Sequence, residues 1–340
     1  MYRNTFVNVN LNNLKYNIES VIKNNNFKYY FGVVKASCYG HGLGCIETII
    51  NSGCNYLAVS SLDEAIEIRK NYDIPILCLG VIKEDLLDIC YKNNITITIP
   101  SLEYIKRIKV SNLKVHIKID TGMNRLGIKT QEELNEILNI IKEKNLYLEG
   151  IYTHLYNSTN KEVTINQLNI FEKFIKNIDA PIIHIGMSTG FNVQIPNKIN
   201  GCRLGIIMYG FSEQLKLKST FELVSEVIEI KKIKKDEVVS YNGTYKAKKD
   251  TLIAIVSIGY ADGILRNYTG NYVYINNNKY KIIGNICMDM LMLEIDSKVN
   301  IYDKVYILKD NDHINEISNN VNSIPYEIMC SIGKRVPRIY

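Results

Sequence analysis

The chain has 340 residues, 46% hydrophobic and 22% charged, with a formal net charge of +6. That length can hold a large core and predicts two domains. Its lysines are interleaved with Asn, Ile and Glu instead of being gathered into arms, which reads as solvated surface and makes no case for nucleic-acid binding. The eight cysteines include no Cys-x-x-Cys pair, and several sit inside apolar runs, such as Cys78 and Cys90. Buried reduced thiols in a cytoplasmic protein are expected, without a disulfide framework or metal site. The N-terminus lacks a basic region followed by an apolar stretch, so no signal peptide is expected, and no apolar run is long enough to span a bilayer.

A helical pattern over residues 11–24 opens the chain. Eight short apolar runs follow: YYFGVVKA, YLAVSS, PILCLG, ITITIP, LKVHIKID, LYLEGIYTHL, IIHIGMST and GCRLGIIMYG. Between them lie amphipathic stretches such as SLDEAIEIRKNYD, TQEELNEILNIIKEKN and TINQLNIFEKFIKNI, whose apolar residues recur at helical spacing. Eight strands alternating with helices predict a parallel (β/α)8 TIM-type barrel over residues 1–220, with a doubly wound sheet as the alternative. From about Thr220 the helical period fades. Runs such as VSEVIEIKKI, TLIAIVSIGYA and KVYILKD, joined by Gly, Asn and Asp, predict a mostly β domain over residues 221–340 with a short helical stretch near its end.

Active sites of such barrels lie at the C-terminal ends of the strands. The first strand ends in Lys35, before a Tyr39-Gly40-His41-Gly42 turn. An ammonium is costly to bury and becomes nucleophilic when its pKa is lowered, which suits a lysine that forms Schiff bases with carbonyl compounds. A lysine snorkelling to the rim is the plain alternative. The fifth strand places Lys118, Asp120 and Arg125 at the mouth, the sixth His154, the seventh Ser188 and Thr189, and the eighth opens at Arg203 and runs to Tyr209. Singly, each has a structural explanation; together at one end they point to a site. The loops after strands seven and eight, with Ser188-Thr189-Gly190 and Gly205, form the usual phosphate position of the fold. Without GxxxxGK[ST] or a GxGxxG after a strand, ATP and NAD are poorly supported.

VVKASCYGHG, KIDTGMNRLG, GIYTHLYNS, CRLGIIMYG, VSYNGTYKA, SIGYADG, GNICMDM and RVPRIY, in this order over nearly the whole chain, resemble the bacterial alanine racemases, pyridoxal-phosphate enzymes that pair a barrel with a β domain. The resemblance implies a homodimer that binds pyridoxal 5'-phosphate and acts on a small amino acid. It implies Lys35 as cofactor lysine and base on one face of the substrate, and Tyr241, supplied by the partner subunit, as base on the other. Arg203 would hydrogen-bond the pyridine nitrogen, Arg125 would contact the phenolic oxygen and the substrate carboxylate, and His154 would lie against the ring. Tyr39, Ser188, Gly205 and Ile206 would hold the phosphate. Lys118 matches a position that is carbamylated in many members, and Tyr260, Met288 and Asp289 would shape the partner's substrate entrance. The chain departs from the pattern at Ser37-Cys38, usually Asn-Ala, at Met187, often Asn, and at Lys334, often a phosphate-binding Tyr. A serine or broader-specificity racemase, a related decarboxylase and a non-enzymatic cofactor carrier are the alternatives. Tyr241 and Arg203 argue against the decarboxylase, and the long β domain against the carrier.

Overall fold

In the computed structural model, which describes residues 2–187 and 193–340, the chain divides into two compact units. One is a barrel formed by residues 14–38 and 43–218. The other is a β unit assembled from residues 1–13, 39–42 and 219–340. The β unit begins with β1 (Phe6–Val9).

Eight parallel strands close the barrel in sequence order: β2 (Tyr29–Val33), β3 (Tyr56–Val59), β4 (Ile76–Cys78), β5 (Ile95–Ile99), β6 (Lys114–Lys118), β7 (Tyr147–Tyr152), β8 (Ile182–Met187) and β9 (Gly201–Leu204), with β2 pairing β9. Every residue of β3, β4, β5, β8 and β9 is buried. Strands covered by helices on one side and packed into a barrel interior on the other read as continuous apolar runs for this reason. The helices start where capping chemistry tells them to. Thr130 and Glu133 form a capping box ahead of Gln131–Glu143, and that helix buries Leu134, Ile137, Ile140 and Ile141 on one face. Ser61, Ser101 and Asn160 accept N-cap bonds at three others. The eighth strand is shorter than expected. It stops at Leu204, and Ile206–Tyr209 form a 3-10 turn.

The β unit is one eight-stranded sheet with a small ribbon beside it. Its longest strand, β10 (Phe221–Ile233), pairs with β1 and is followed by β11 (Val238–Val239), β12 (Tyr245–Lys246), β13 (Thr251–Val256), β14 (Tyr272–Ile275), β15 (Asn278–Ile283), β16 (Leu291–Ile295), β17 (Lys304–Leu308) and β18 (Arg338–Ile339). The sheet order is β13-β16-β15-β14-β17-β10-β1-β18, and β10 also pairs β13. A 13-residue strand can serve three neighbours because a bulge between Val227 and Glu229 bends it. β11 and β12 form the separate two-stranded ribbon. The expected helical stretch near the end is two helices, Asn311–Asn320 and Pro325–Cys330. No helix among the described residues is long and apolar enough to cross a membrane.

Residues Tyr39–Gly42 are sewn into the β unit. Arg338 Nε donates to Gly40 O at 2.9 Å, the Tyr340 hydroxyl donates to His41 O at 3.1 Å, and His41 Nε2 meets Thr220 Oγ1 at 2.8 Å. Gly40 (φ 82°) has no room for a Cβ, which would fall 2.1 Å from Met329 O.

Instead of a simple turn after Lys35, the backbone makes a left-handed turn: Ala36, Ser37, Cys38 and Tyr39 have φ of 51°, 52°, 54° and 55°. Each L-residue in that conformation costs about 1–2 kcal/mol, so consecutive ones need support from outside the turn. Part of it comes from Glu64, whose Oε1 accepts from Ala36 N at 2.7 Å while its other oxygen accepts from Ser60 N. Ser37 is exposed, so Ser37→Gly should relieve local strain without opening a cavity. Net of the greater freedom of an unfolded glycine, a gain of about 0.5–1 kcal/mol is expected in urea unfolding, and Ser37→Val should lose more than about 1 kcal/mol. Equal midpoints for the two variants would contradict strain at this turn.

Candidate active site

The barrel gathers Lys35, Lys118, Arg125, His154 and Arg203 into one electrostatic cluster. Burial lowers the pKa of His154 to about 3, helped by the positive charges of Arg203, Arg125, Lys118 and Lys35. Burial also lowers Lys118 to about 8, with Arg125, Arg203 and Lys35 pushing the same way and Asp120 opposing. His154 is therefore a neutral imidazole at pH 7. The loop carrying Arg125 is built on Asp120, whose Oδ1 accepts from Gly122 N at 2.9 Å and Asn124 N at 3.1 Å. Gly127 lets the returning chain pass, since a Cβ there would sit 2.6 Å from Asp120 N. Thr121 then bonds Thr153, at 2.8 Å, next to His154.

Arg203 is 3% exposed and lies over the Tyr152 ring, 4.7 Å from its centroid. Its guanidinium donates to Thr153 O at 2.7 Å, to His184 Nδ1 at 2.8 Å and, more weakly, to His154 Nδ1 at 3.4 Å. Gly186 makes room for this: a Cβ there would meet His154 Nδ1 at 3.1 Å and Arg203 Nη2 at 3.2 Å. From His184 a chain of bonds runs down the barrel. His184 Nε2 meets His116 Nδ1 at 2.8 Å, and His116 Nε2 meets Glu149 Oε2 at 3.2 Å. The same oxygen accepts from the Tyr56 hydroxyl at 2.6 Å and Thr96 Oγ1 at 2.8 Å.

The two ends of the chain fix every proton in it. A guanidinium only donates and an ionised carboxylate only accepts. Hence His116 is protonated on Nε2, and His184, which must offer Nδ1 to Arg203, is protonated on Nε2. Burial keeps His116 and His184 below the ordinary histidine pKa. Burial alone would raise Glu149, but the hydrogen bonds and charge of its partners bring it down to about 2. Phe31 and Tyr152 stack on His184, with centroids 4.4 Å and 4.7 Å away. None of His116, His184 or Glu149 was predicted from sequence; a histidine inside the apolar runs VHI and IHI was the available sign.

Gly205 precedes and Ile206 begins the 3-10 turn after β9, where the first amides of a helical turn have no partner within it. Ser188 and its neighbours Thr189 and Gly190 lie outside the described residues. Tyr39 falls in the β unit, its ring 5.7 Å from that of Tyr326.

In the β unit, Tyr241, Tyr260, Met288 and Asp289 belong to one backbone frame. Tyr241 occupies the turn of the β11–β12 ribbon and is 68% exposed. Asn285 Nδ2 donates to Tyr241 O at 2.7 Å. Two residues on, Cys287 O accepts from Tyr260 N and Met288 O from Ala261 N, both at 3.0 Å. Asp289 accepts from Arg335 at 2.7 Å, and Arg335 also bonds the fully buried Asp262, which holds Arg3 as well. Tyr260, Met288 and Met290 are exposed along with Tyr241. Lys334 lies between the helix Pro325–Cys330 and β18.

The barrel histidines make stability pH-dependent. Each has a folded pKa below its unfolded value of about 6.5, so the unfolded chain takes up protons first and stability falls as pH drops below about 6.5. Glu149 contributes in a separate, lower window, from about 4.5 down to about 2. Between pH 7.5 and 5, each fully neutral histidine should forfeit up to about 2 kcal/mol. Urea midpoints should therefore drop over that range; a flat or rising profile would show that these rings are not held neutral.

The chain matches two family models, "Alanine racemase, N-terminal domain" over residues 9–213 and "Alanine racemase, C-terminal domain" over residues 220–340. It is 34% identical to an alanine racemase of Staphylococcus epidermidis, covering 100% of this chain and 95% of the relative. It is 35% identical to alanine racemase 1 of Clostridium acetobutylicum, covering 99% and 95%. The crystal structure of alanine racemase from Bacillus anthracis with bound L-Ala-P superposes with a TM-score of 0.92 at 30% identity, covering 99% of this chain and 94% of that one. Matches spanning both units and nearly the full length of these relatives establish that the chain belongs to the alanine racemase family.

Proposed function

We propose that the protein interconverts L-alanine and D-alanine with pyridoxal 5'-phosphate, using Lys35 as base on one face of Cα and Tyr241 from the partner subunit of a homodimer on the other. The observation that carries this reading is the cationic cluster at the barrel mouth. Lys35, Lys118, Arg125 and Arg203 all act on His154, a donor set that suits an anionic cofactor and a substrate carboxylate. Alanine is favoured as substrate because the full-length relatives at 34–35% identity bear that name.

Pyridoxal phosphate, when bound, supplies an electron sink that acidifies the α-hydrogen of an attached amino acid. The remaining roles fall to this chain. Lys35 would carry the cofactor and exchange a proton with Cα from its side, and the Tyr241 hydroxyl would do so from the other. Arg203 would donate to the pyridine nitrogen and cannot surrender its proton, so it would leave that nitrogen unprotonated and limit transamination. Arg125 would hold the phenolic oxygen and the substrate carboxylate, and neutral His154 would lie against the ring. For the phosphate, the family pattern would assign Ser188, Gly205, Ile206 and Tyr39.

Lys118, lowered to about 8, has roughly a tenth of its amine neutral at pH 7. That is the form able to add carbon dioxide, and the resulting carbamate would place a negative charge beside Arg125. Tyr260, Met288 and Asp289 border the substrate entrance. The exposed apolar groups of the β unit, Tyr241, Tyr260, Met288 and Met290, are what a second copy would cover. Buried thiols such as Cys54 and Cys202 suit a reducing compartment, the cytoplasm.

Borohydride treatment of the yellow protein should fix the cofactor on a peptide containing Lys35, and a chiral assay over a panel of amino acids should find alanine turned over fastest. Lys35→Ala and Tyr241→Phe should each be nearly inactive. Mixed and allowed to exchange subunits, they should recover up to about a quarter of wild-type activity, since half the dimers are mixed and each has one intact site. No recovery despite demonstrated exchange would place both bases in one chain.

A further inference from the structure

We propose that Ser240 and Asn285 are positioning residues that aim Tyr241, acting through a hydrogen-bonded clamp between two loops of the β unit. The proposal rests on Tyr241 being a base.

Tyr241 is a poor candidate for self-orientation. It lies in a solvent-exposed turn, and among the described residues no hydrogen bond holds its hydroxyl. Its direction therefore depends on its backbone, and three observations show how that backbone is held. First, the clamp is reciprocal. Ser240 Oγ donates to Asn285 O at 2.5 Å, and Asn285 Nδ2 donates back to Tyr241 O at 2.7 Å. Cys287 Sγ lies 3.4 Å from Ser240 Oγ, closing the pocket around that hydroxyl.

Second, Ser240 is strained. Its φ of 65° and ψ of −175° lie in a region that only glycine occupies readily. A serine there gives up backbone comfort that a glycine would keep, and what it gains is the hydroxyl that reaches Asn285. Third, the two loops are rooted in one apolar cluster. Val239, just before Ser240, and Ile283, two residues before Asn285, pack with Ile253 and Met292, and Cys287 lies against them. Between Ile283 and Asn285, Gly284 (φ 65°) allows close approach, because a Cβ there would fall 2.8 Å from Val239 O and 3.1 Å from Ser240 Cβ. The frame continues through Cys287 O to Tyr260 N, so the clamp ties the base to the residues bordering the substrate entrance.

The test uses the dimeric holoenzyme in deuterium oxide. It starts from the enantiomer whose α-hydrogen faces Lys35. Two quantities are followed by proton NMR and chiral analysis: α-deuteration with retention, which needs Lys35 alone, and inversion, which needs both bases. Tyr241→Phe is the reference and should raise the ratio of retention to inversion at least tenfold.

Asn285→Asp keeps the shape but replaces the donor with an acceptor facing Tyr241 O. Ser240→Gly removes the hydroxyl and relieves the strain. Both should cut inversion about 10–100-fold, the scale of a small misplacement of a reacting group, while retention exchange stays within about threefold. The melting temperature of Ser240→Gly should be equal or higher. A rise in the ratio for both variants supports the clamp. Unchanged inversion in either variant, or an equal fall in both processes, overturns it. If Tyr241→Phe leaves the ratio unchanged, Tyr241 is not the second base and the proposal falls with that reading.

Discussion

Burying a guanidinium inside a barrel is costly unless its charge and its N–H groups are answered, and the barrel of this protein is arranged around answering Arg203. The compensation is spread over a line of side chains instead of one adjacent carboxylate. His184 and His116 are neutral rings that transmit polarity between Arg203 and Glu149, while Tyr56 and Thr96 complete the carboxylate's bonds. Tyr152 and Phe31 sandwich the relay in aromatic rings. One consequence is positional: with its donors committed to Thr153 O and His184, the guanidinium has little rotational freedom. Another is electrostatic. Burial is the main cause that lowers both His154 and Lys118, and a cation so fixed adds to it at each, together with Arg125 and Lys35.

The β unit solves a different problem, that of holding exposed polar loops still. Asp262 is fully buried and binds Arg3 and Arg335, and Arg335 reaches on to Asp289. Arg338 spends its guanidinium on the carbonyls of Gly40, Ile332, Gly333 and Val336. These bonds account for the arginines, aspartates and glycines of SIGYADG, GNICMDM, YGHG and RVPRIY: each supplies a donor, an acceptor or a bare backbone to the same unit.

Much of the architecture was legible in the chain. All eight barrel strands coincide with apolar runs picked out by their period and flanking turns, and the change of texture near Thr220 coincides with the start of the long strand β10. Lys35, Lys118, His154 and Arg203 were singled out because they end or open such runs, and the barrel does couple them electrostatically. Two things escaped. The N-terminal strand β1 is only four residues long, and its partner β10 lies some 210 residues further along the chain; local pattern carries no trace of that pairing. The relay residues are not legible either, because a polar side chain within an apolar strand has no sequence signature for the partner that satisfies it.

By itself, the sequence determined which segments are strands and helices, since hydrophobic period and capping residues act over a few neighbours. It also determined the chemical character of the barrel's mouth, since strand ends in this architecture share one face. Tertiary structure alone decided the rest. The left-handed turn at Ala36–Tyr39 runs against local preference and exists only because surrounding contacts over-determine it. The neutral state of His154 and the lowered pKa of Lys118 come from burial and from charges brought together by barrel closure. The frame around Tyr241 likewise needs Ser240 and Asn285, 45 residues apart, to meet across a shared apolar cluster, and only the folded chain can arrange that.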